Sequence, residues 1–208
     1  MNPDKILLTL QQHVPAPAVE YCFNLWLKYK FAFKLRKARM TKVGDFTFRS
    51  GHIPRITVNA DLHPYSFLIT YVHEVAHFEV HSTFGHRAEA HGDEWKKTFQ
   101  EMLAPVMTAE IFPADLLSVL RKHMVNPKAS SYSDSELTAA LRKFDSKQAS
   151  VVLLSQIPEG SIFGLHGRWF RKGKLKRTRV MCREVNTKRD YLVPIDAPVS
   201  GAQLSLIM

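Results

Sequence analysis

Between Pro17 and Tyr29 the apolar residues Val19, Phe23, Trp26 and Leu27 recur at the 3.6-residue spacing of a helical face. Pro17 suits a first turn, so a helix is predicted there. Phe31, Phe33 and Leu35 then alternate with Lys34 and Arg36, the period of a strand. Further strand signals at Asp45–Arg49 and Arg55–Asn59 are separated by Ser50, Gly51 and Pro54, and together they predict a small antiparallel sheet. Pro64 opens a long helix through Phe67, Leu68, Tyr71, Val72, Val75 and Ala76 to about His81, with Gly85 marking its end. A helix follows from about Gly92 through Trp95 and Phe99 to Leu103, stopped by Pro105. Pro113 begins another through Leu116, Leu117 and Leu120. Ser133 and Glu136 have capping-box spacing before Leu137, Ala140, Leu141 and Phe144.

Beyond Ser150 the period changes. Val151–Ile157, Ile162–Leu165, Arg168–Arg171, Lys176–Val185 and Tyr191–Ile195 are short strand-like runs broken by Gly160, Gly167, Gly173 and Asn186. The expected fold class is therefore α+β, with a larger domain over residues 1–148 and a small SH3-like, β-barrel-like domain over 149–208. A chain of 208 residues that is 45% hydrophobic can bury one substantial core beside such a module. It contains no run of 18 apolar residues, and the apolar stretch after Asp4 is too short for a signal peptide. The expectation is a cytoplasmic protein with no membrane partner. Cys22 and Cys182 lie far apart and form no CxxC pair, so any tightly held zinc must rely on histidine and carboxylate.

The formal charge of +10 is concentrated in two places. Lys28–Lys42 holds seven Lys or Arg and no acid. Arg168–Arg189 holds ten against the single Glu184. Patches of this size suit a polyanion such as nucleic acid. In the second patch Arg168, Arg171, Lys172, Lys174, Lys176, Arg177 and Arg179 are the expected phosphate contacts. The competing reading is that these charges solubilise a small sheet and guard its edge. Trp169 and Phe170, interleaved with them, are expected in that sheet's core, although an exposed aromatic there could stack on a base. In the first patch the alternation with Phe31, Phe33 and Leu35 implies one wet, basic face.

The chemistry-bearing motif is His73-Glu74-Val75-Ala76-His77. Residues four apart share a helix face, so His73 and His77 can point imidazole nitrogens at one ion with Glu74 beside it. Zinc held this way lowers the pKa of its water to roughly 7, and Glu74 would take the proton as a peptide carbonyl is attacked. In a chain with ten His and ten Glu the bare motif arises by accident on the order of 0.02 times. Its place inside an apolar helix, where such residues are costly to bury, strengthens it against the alternative of an exposed histidine pair.

A catalytic zinc wants a third protein ligand and an open fourth position. Downstream lie Glu79, His81, His86, Glu89, His91 and Glu94. His81 is about 12 Å from His73 along a continuous helix, whereas two ligands of one zinc lie only ~4 Å apart. The chain must instead turn back after Gly85. His91 is well placed for that, and His86 stays open as an alternative.

The paired motifs HEVAH and His91-Gly92-Asp93-Glu94-Trp95 resemble the SprT-like (SprT/Spartan-type) zinc metalloprotease domain, whose pattern is HExxH followed by HGxxF or HGxxW. The resemblance covers roughly Pro17 to Leu103. It implies a zincin-like domain with a small sheet beside the active-site helix, one Zn2+ held by His73, His77 and His91, and Glu74 as the catalytic residue. It also implies that Gly92 permits tight packing and that Trp95 is core. Many members carry a Cys-rich zinc ribbon, which two cysteines cannot make. Gly160–Val193 is similar instead to the β module of a bacterial SprT-like subgroup. The implied function is zinc-dependent proteolysis of protein substrates, with DNA-bound proteins as a substrate class. The alternative is a nucleic-acid-binding or transcription-associated protein whose zinc site is structural or idle.

Overall fold

A computed structural model describes residues 2–39, 42–129, 134–144 and 152–203, with side chains described as far as residue 200. The chain divides into two compact units, Met1–Asp145 and Ser146–Met208.

The first unit combines six helices with a three-stranded sheet. Its opening helix α1 (Pro3–His13) covers the stretch read from sequence only as too short for a signal peptide. Asn2 caps it by accepting the Asp4 N–H, Pro3 fills the first turn, and Ile6 and Leu10, four apart, are buried. α2 (Val19–Tyr29) buries Cys22, Leu25 and Trp26. Strands β1 (Ala32–Arg36), β2 (Gly44–Thr47) and β3 (Arg55–Asn59) form a sheet in the order β1-β3-β2.

The expectation of a wholly antiparallel sheet is corrected here. β2 and β3 form an antiparallel hairpin, but β1 runs parallel to β3, with Phe33 opposite Ile56 and Leu35 opposite Val58. The segment between β1 and β2 carries the chain past one strand position, and β3 returns into the gap. Alternation of apolar residues reports which face a side chain takes and carries no information on strand order.

α3 (Pro64–Phe84) is the central element. Phe67, Leu68, Ile69, Tyr71, Val72, Val75 and Ala76 are all buried, so the helix is enclosed on more than one side rather than amphipathic. Tyr71 Oη donates to the Cys22 carbonyl at 3.0 Å and ties α3 to α2. Gly85, at φ 62°, ends the helix. α4 (Asp93–Leu103) packs back on α3 through Trp95, Phe99 and Leu103. α5 (Ala114–Val125) and α6 (Ser135–Arg142) complete the unit. The cap of α6 is Asp134, which accepts the N–H groups of Glu136 and Leu137 and also meets the buried His123 at 2.9 Å. Ser133, expected to cap this helix, lies outside the described residues.

The second unit is a six-stranded antiparallel sheet made of β4 (Val152–Leu153), β5 (Ile162–Leu165), β6 (Arg168–Lys176), β7 (Arg179–Glu184), β8 (Asp190–Pro194) and β9 (Pro198–Gln203). Their order is β4-β9-β5-β6-β7-β8. Phe163, Phe170, Val180, Cys182 and Val193 fill one face. Ladder β6–β7 shifts register between Lys172 and Leu175, where a Cβ on Gly173 would lie 2.7 Å from the Met181 carbonyl oxygen. That bulge carries β6 five residues beyond the run read from sequence. Both cysteines are buried and free. Among the described residues no helix is long and apolar enough to cross a membrane.

Candidate metal centre

α3 stacks His73 and His77 one turn apart. After Gly85 a short 3-10 turn (Gly85–Arg87) and a tight turn, in which the Gly92 N–H reaches the Glu89 carbonyl at 3.1 Å, return the chain so that His91 faces them. The Nε2 atom of His77 lies 3.1 Å from Nε2 of His73 and 3.1 Å from Nε2 of His91. All three candidate ligand atoms fall within 4.8 Å of one another. Nitrogens bound to a tetrahedral ion at ~2.0–2.1 Å stand about 3.3 Å apart, so the donor set fits a metal ion. Burial first, and repulsion by His77 and His91 next, hold the His73 pKa well below its ordinary value. Burial and then repulsion by His91 bring His77 down to about 4, and burial lowers His91. Neutral imidazole is the form that offers a metal its lone pair.

Trp95, on the first turn of α4, is fully buried and touches every ring of the triad. Its centroid lies 4.6 Å from His73, 5.3 Å from His77 and 4.7 Å from His91, with the His77 ring nearly parallel to it. The indole is a floor that limits how the three imidazoles can turn. His81 points elsewhere, packing on Phe46, Phe48 and His86. His86 packs on His81 in that second group, and of the two histidines left open it is His91 that joins His73 and His77 in the group that could hold an ion.

Glu74 is buried beside the triad. Its carboxylate accepts the Phe46 N–H, and burial followed by the charge of Asp45 raises its pKa to about 8 in the metal-free site. Asp45 is itself fixed by Lys42 Nζ at 2.6 Å and the Thr47 hydroxyl at 3.1 Å. Gly44 makes room: a Cβ there would stand 2.3 Å from Glu74 Oε1 and 2.6 Å from Thr70 Cγ2. The triad and Glu74 open on a cleft of about 450 Å3, walled by Lys42, Gly44, Asp45, Phe46 and Thr70. Of these wall residues the sequence marks only Lys42, as the end of the first basic run; Gly44, Asp45 and Phe46 do not stand out, because a glycine before an acid and an aromatic residue is an ordinary strand pattern.

β2 also presents its main chain to the cleft. Asn59 N donates to Val43 O, so along this antiparallel pair the peptide groups of Val43, Asp45 and Thr47 face β3 and those of Gly44 and Phe46 face away. Among the described residues no strand pairs with that outer edge. The edge runs past Glu74.

The cationic residues of the second unit separate into two groups. Arg168 lies over the Phe170 and Tyr191 rings and 3.6 Å from Glu184, and Lys172 donates to the carbonyls of Leu154 and Ile157 at 2.7 and 2.6 Å. Both side chains hold contacts within the unit, Lys172 partly buried and Arg168 exposed. Arg171, Lys174, Lys176, Arg177 and Arg179 are exposed. Phe170 is core as expected, but Trp169 is 46% exposed. Adjacent residues of one strand face opposite sides, so burying Phe170 turns Trp169 outward. In the first unit Lys34 and Arg36 are exposed on β1 while Phe33 is buried, as the alternation implied. No protein-family model, curated protein or solved structure matches this chain.

Proposed function

We propose that the protein is a zinc-dependent peptidase of the SprT-like type, with His73, His77 and His91 holding Zn2+ and Glu74 as the catalytic acid and base. The carrying observation is the convergence of three Nε2 atoms beside a buried glutamate at the floor of an open cleft. A structural zinc site is closed by four protein ligands, whereas three ligands and a cleft leave a position for chemistry. Zinc held there supplies Lewis acidity toward water and toward a substrate carbonyl. Glu74 receives the proton released from the attacking water and returns it to the departing amine. The Phe46 N–H and the space left by Gly44 keep the Glu74 carboxylate turned to the cleft. With the Phe46 N–H held by Glu74, the outward Gly44 peptide group and Phe46 carbonyl suit an extended peptide, which can pair with the β2 edge and bring its backbone past Glu74. The zincin-like and SH3-like descriptions of the two units belong to the same reading, as do DNA-bound proteins as substrates.

The test is cleavage of a DNA-binding protein by zinc-loaded protein, with and without single-stranded DNA, comparing wild type with Glu74→Gln. Cleavage by wild type alone is expected, with equal zinc in both proteins by atomic absorption. Equal cleavage by both, or none by either despite full zinc and a panel of unfolded substrates, transfers the assignment to a binding protein with a structural or idle metal.

A further inference from the structure

We propose that the outward face of the β6–β7 hairpin is a binding surface for single-stranded nucleic acid, with Trp169 stacking on a base and Arg171, Lys176, Arg177 and Arg179 contacting phosphates. This rests on no reading of the metal site. On β7, Val180 and Cys182 are buried, so Arg179, Met181 and Arg183 face outward. Directly opposite on β6, Arg171 faces Arg183 and Lys176 faces Arg179, two like-charged pairs on one surface. Like charges placed opposite one another destabilise a sheet; Arg183 is offset by Asp190 and Arg171 donates to the Gly160 carbonyl at 3.3 Å, which leaves Lys176 opposite Arg179 as the pair that needs a reason outside the fold.

Edge protection does not supply that reason for the arginines, although Lys174 and Lys176 lie past the end of the β5 ladder. Arg171, Arg179 and Arg183 sit on strands paired on both sides, while the sheet ends at β4 and β8. A merely solvated surface would mix in acids. The one acid of the run Arg168–Arg189, Glu184, is buried, and Asp190, beside the outward face on β8, is taken up by Arg183 at 2.7 and 3.0 Å. Among the described residues the side chains of Lys174, Lys176, Arg177 and Arg179 form no hydrogen bond or ion pair. They remain available to phosphates.

The aromatic component lies on the same face. Trp169 and Arg171 are two apart on β6 and point the same way. Opposite Trp169 on β5 is Gly164, so no cross-strand side chain covers the indole. Trp26 and Trp95 are buried, which leaves Trp169 as the exposed tryptophan of the three. Cations beside an open aromatic ring match an unpaired strand better than a duplex, whose bases offer no free face.

The experiment titrates the full-length protein into fluorescein-labelled oligodeoxythymidine and oligouridine of about 20 nucleotides, following anisotropy and tryptophan quenching. Binding is expected to weaken steeply with salt. Trp169→Ala should lower affinity by about tenfold and abolish most of the quenching. Lys176→Gln with Arg179→Gln should reduce the salt slope by about 1.4. The two oligonucleotides distinguish DNA from RNA, and binding of either supports the surface. No binding at low salt overturns the proposal. So does wild-type affinity in both hairpin variants, with the loss appearing instead in Lys34→Gln with Arg36→Gln. A duplex bound as tightly as the single strand, and indifferent to Trp169→Ala, overturns the single-strand assignment. Circular dichroism confirms that each variant is folded.

Discussion

The metal cleft of the first unit and the cationic hairpin of the second both concentrate polar residues at a cost in stability, and they do so in opposite ways. In the cleft the groups are half-buried or buried, each held by another: Trp95 under the histidines, Phe46 on Glu74, Lys42 and Thr47 on Asp45. On the hairpin the charges are exposed and largely unheld. Burial magnifies electrostatics and fixes geometry, so cleft substitutions should act steeply and specifically. Exposed charges act additively and are screened by salt.

The largest effect expected is on hydrolysis. Glu74→Gln should lower it about 10^2- to 10^4-fold while leaving zinc content unchanged. A comparable loss of zinc would mean that Glu74 serves the ion rather than the reaction. His91→Ala should weaken metal binding by more than about 100-fold, measured by competition with a chelating dye. Wild-type affinity there would remove His91 from the centre. Gly44→Ala sharpens the role of packing: its Cβ displaces Glu74, and a misplacement near 1 Å should cost about 10- to 100-fold in turnover with metal retained. Unchanged turnover would show that the strand yields instead.

Acid and base should destabilise the metal-free protein through different groups. His73 and His77 have folded pKa values below 6.5, so the unfolded chain binds more protons and stability falls as pH drops from 6.5 through about 4. Glu74 has a folded pKa of about 8 against an ordinary 4.5, so the folded state holds a proton that the unfolded chain has released. Its contribution is lost as pH rises from 4.5 through about 8. Thermal melting of metal-free protein should therefore decline from pH 6.5 to 8, and Glu74→Gln should remove most of that decline. An identical decline in the variant would assign it to other groups. The smallest effect belongs to the hairpin: Lys176→Gln with Arg179→Gln should leave hydrolysis of a short uncharged peptide within about twofold of wild type, since surface substitutions shift stability little. A larger drop would tie the two regions together.

Helix α3 was legible because its apolar residues, Pro64 and Gly85 mark its body and both ends, and the four-residue spacing of His73 and His77 carries its own geometry. α1 was missed, since its two buried positions, Ile6 and Leu10, make a short signal. Trp169 was misplaced because both it and Phe170 are hydrophobic enough for a core, and only the pairing of β6 decides which one enters.

By itself the sequence determined what short-range geometry controls: the identity of the helices and strands with a strong period, the shared face of His73 and His77, and the concentration of charge in two segments. Tertiary structure alone decided the return of His91 to within 3.1 Å of His77, the parallel insertion of β3 beside β1, and the fit of Gly44 against Glu74. It likewise decided that Lys172 is tied to the Leu154 and Ile157 carbonyls while, among the described residues, the exposed Arg179 side chain forms no hydrogen bond or ion pair. Periodicity states which way a side chain points from its own element. What it meets there depends on residues distant in the chain, brought together by burial of a common core.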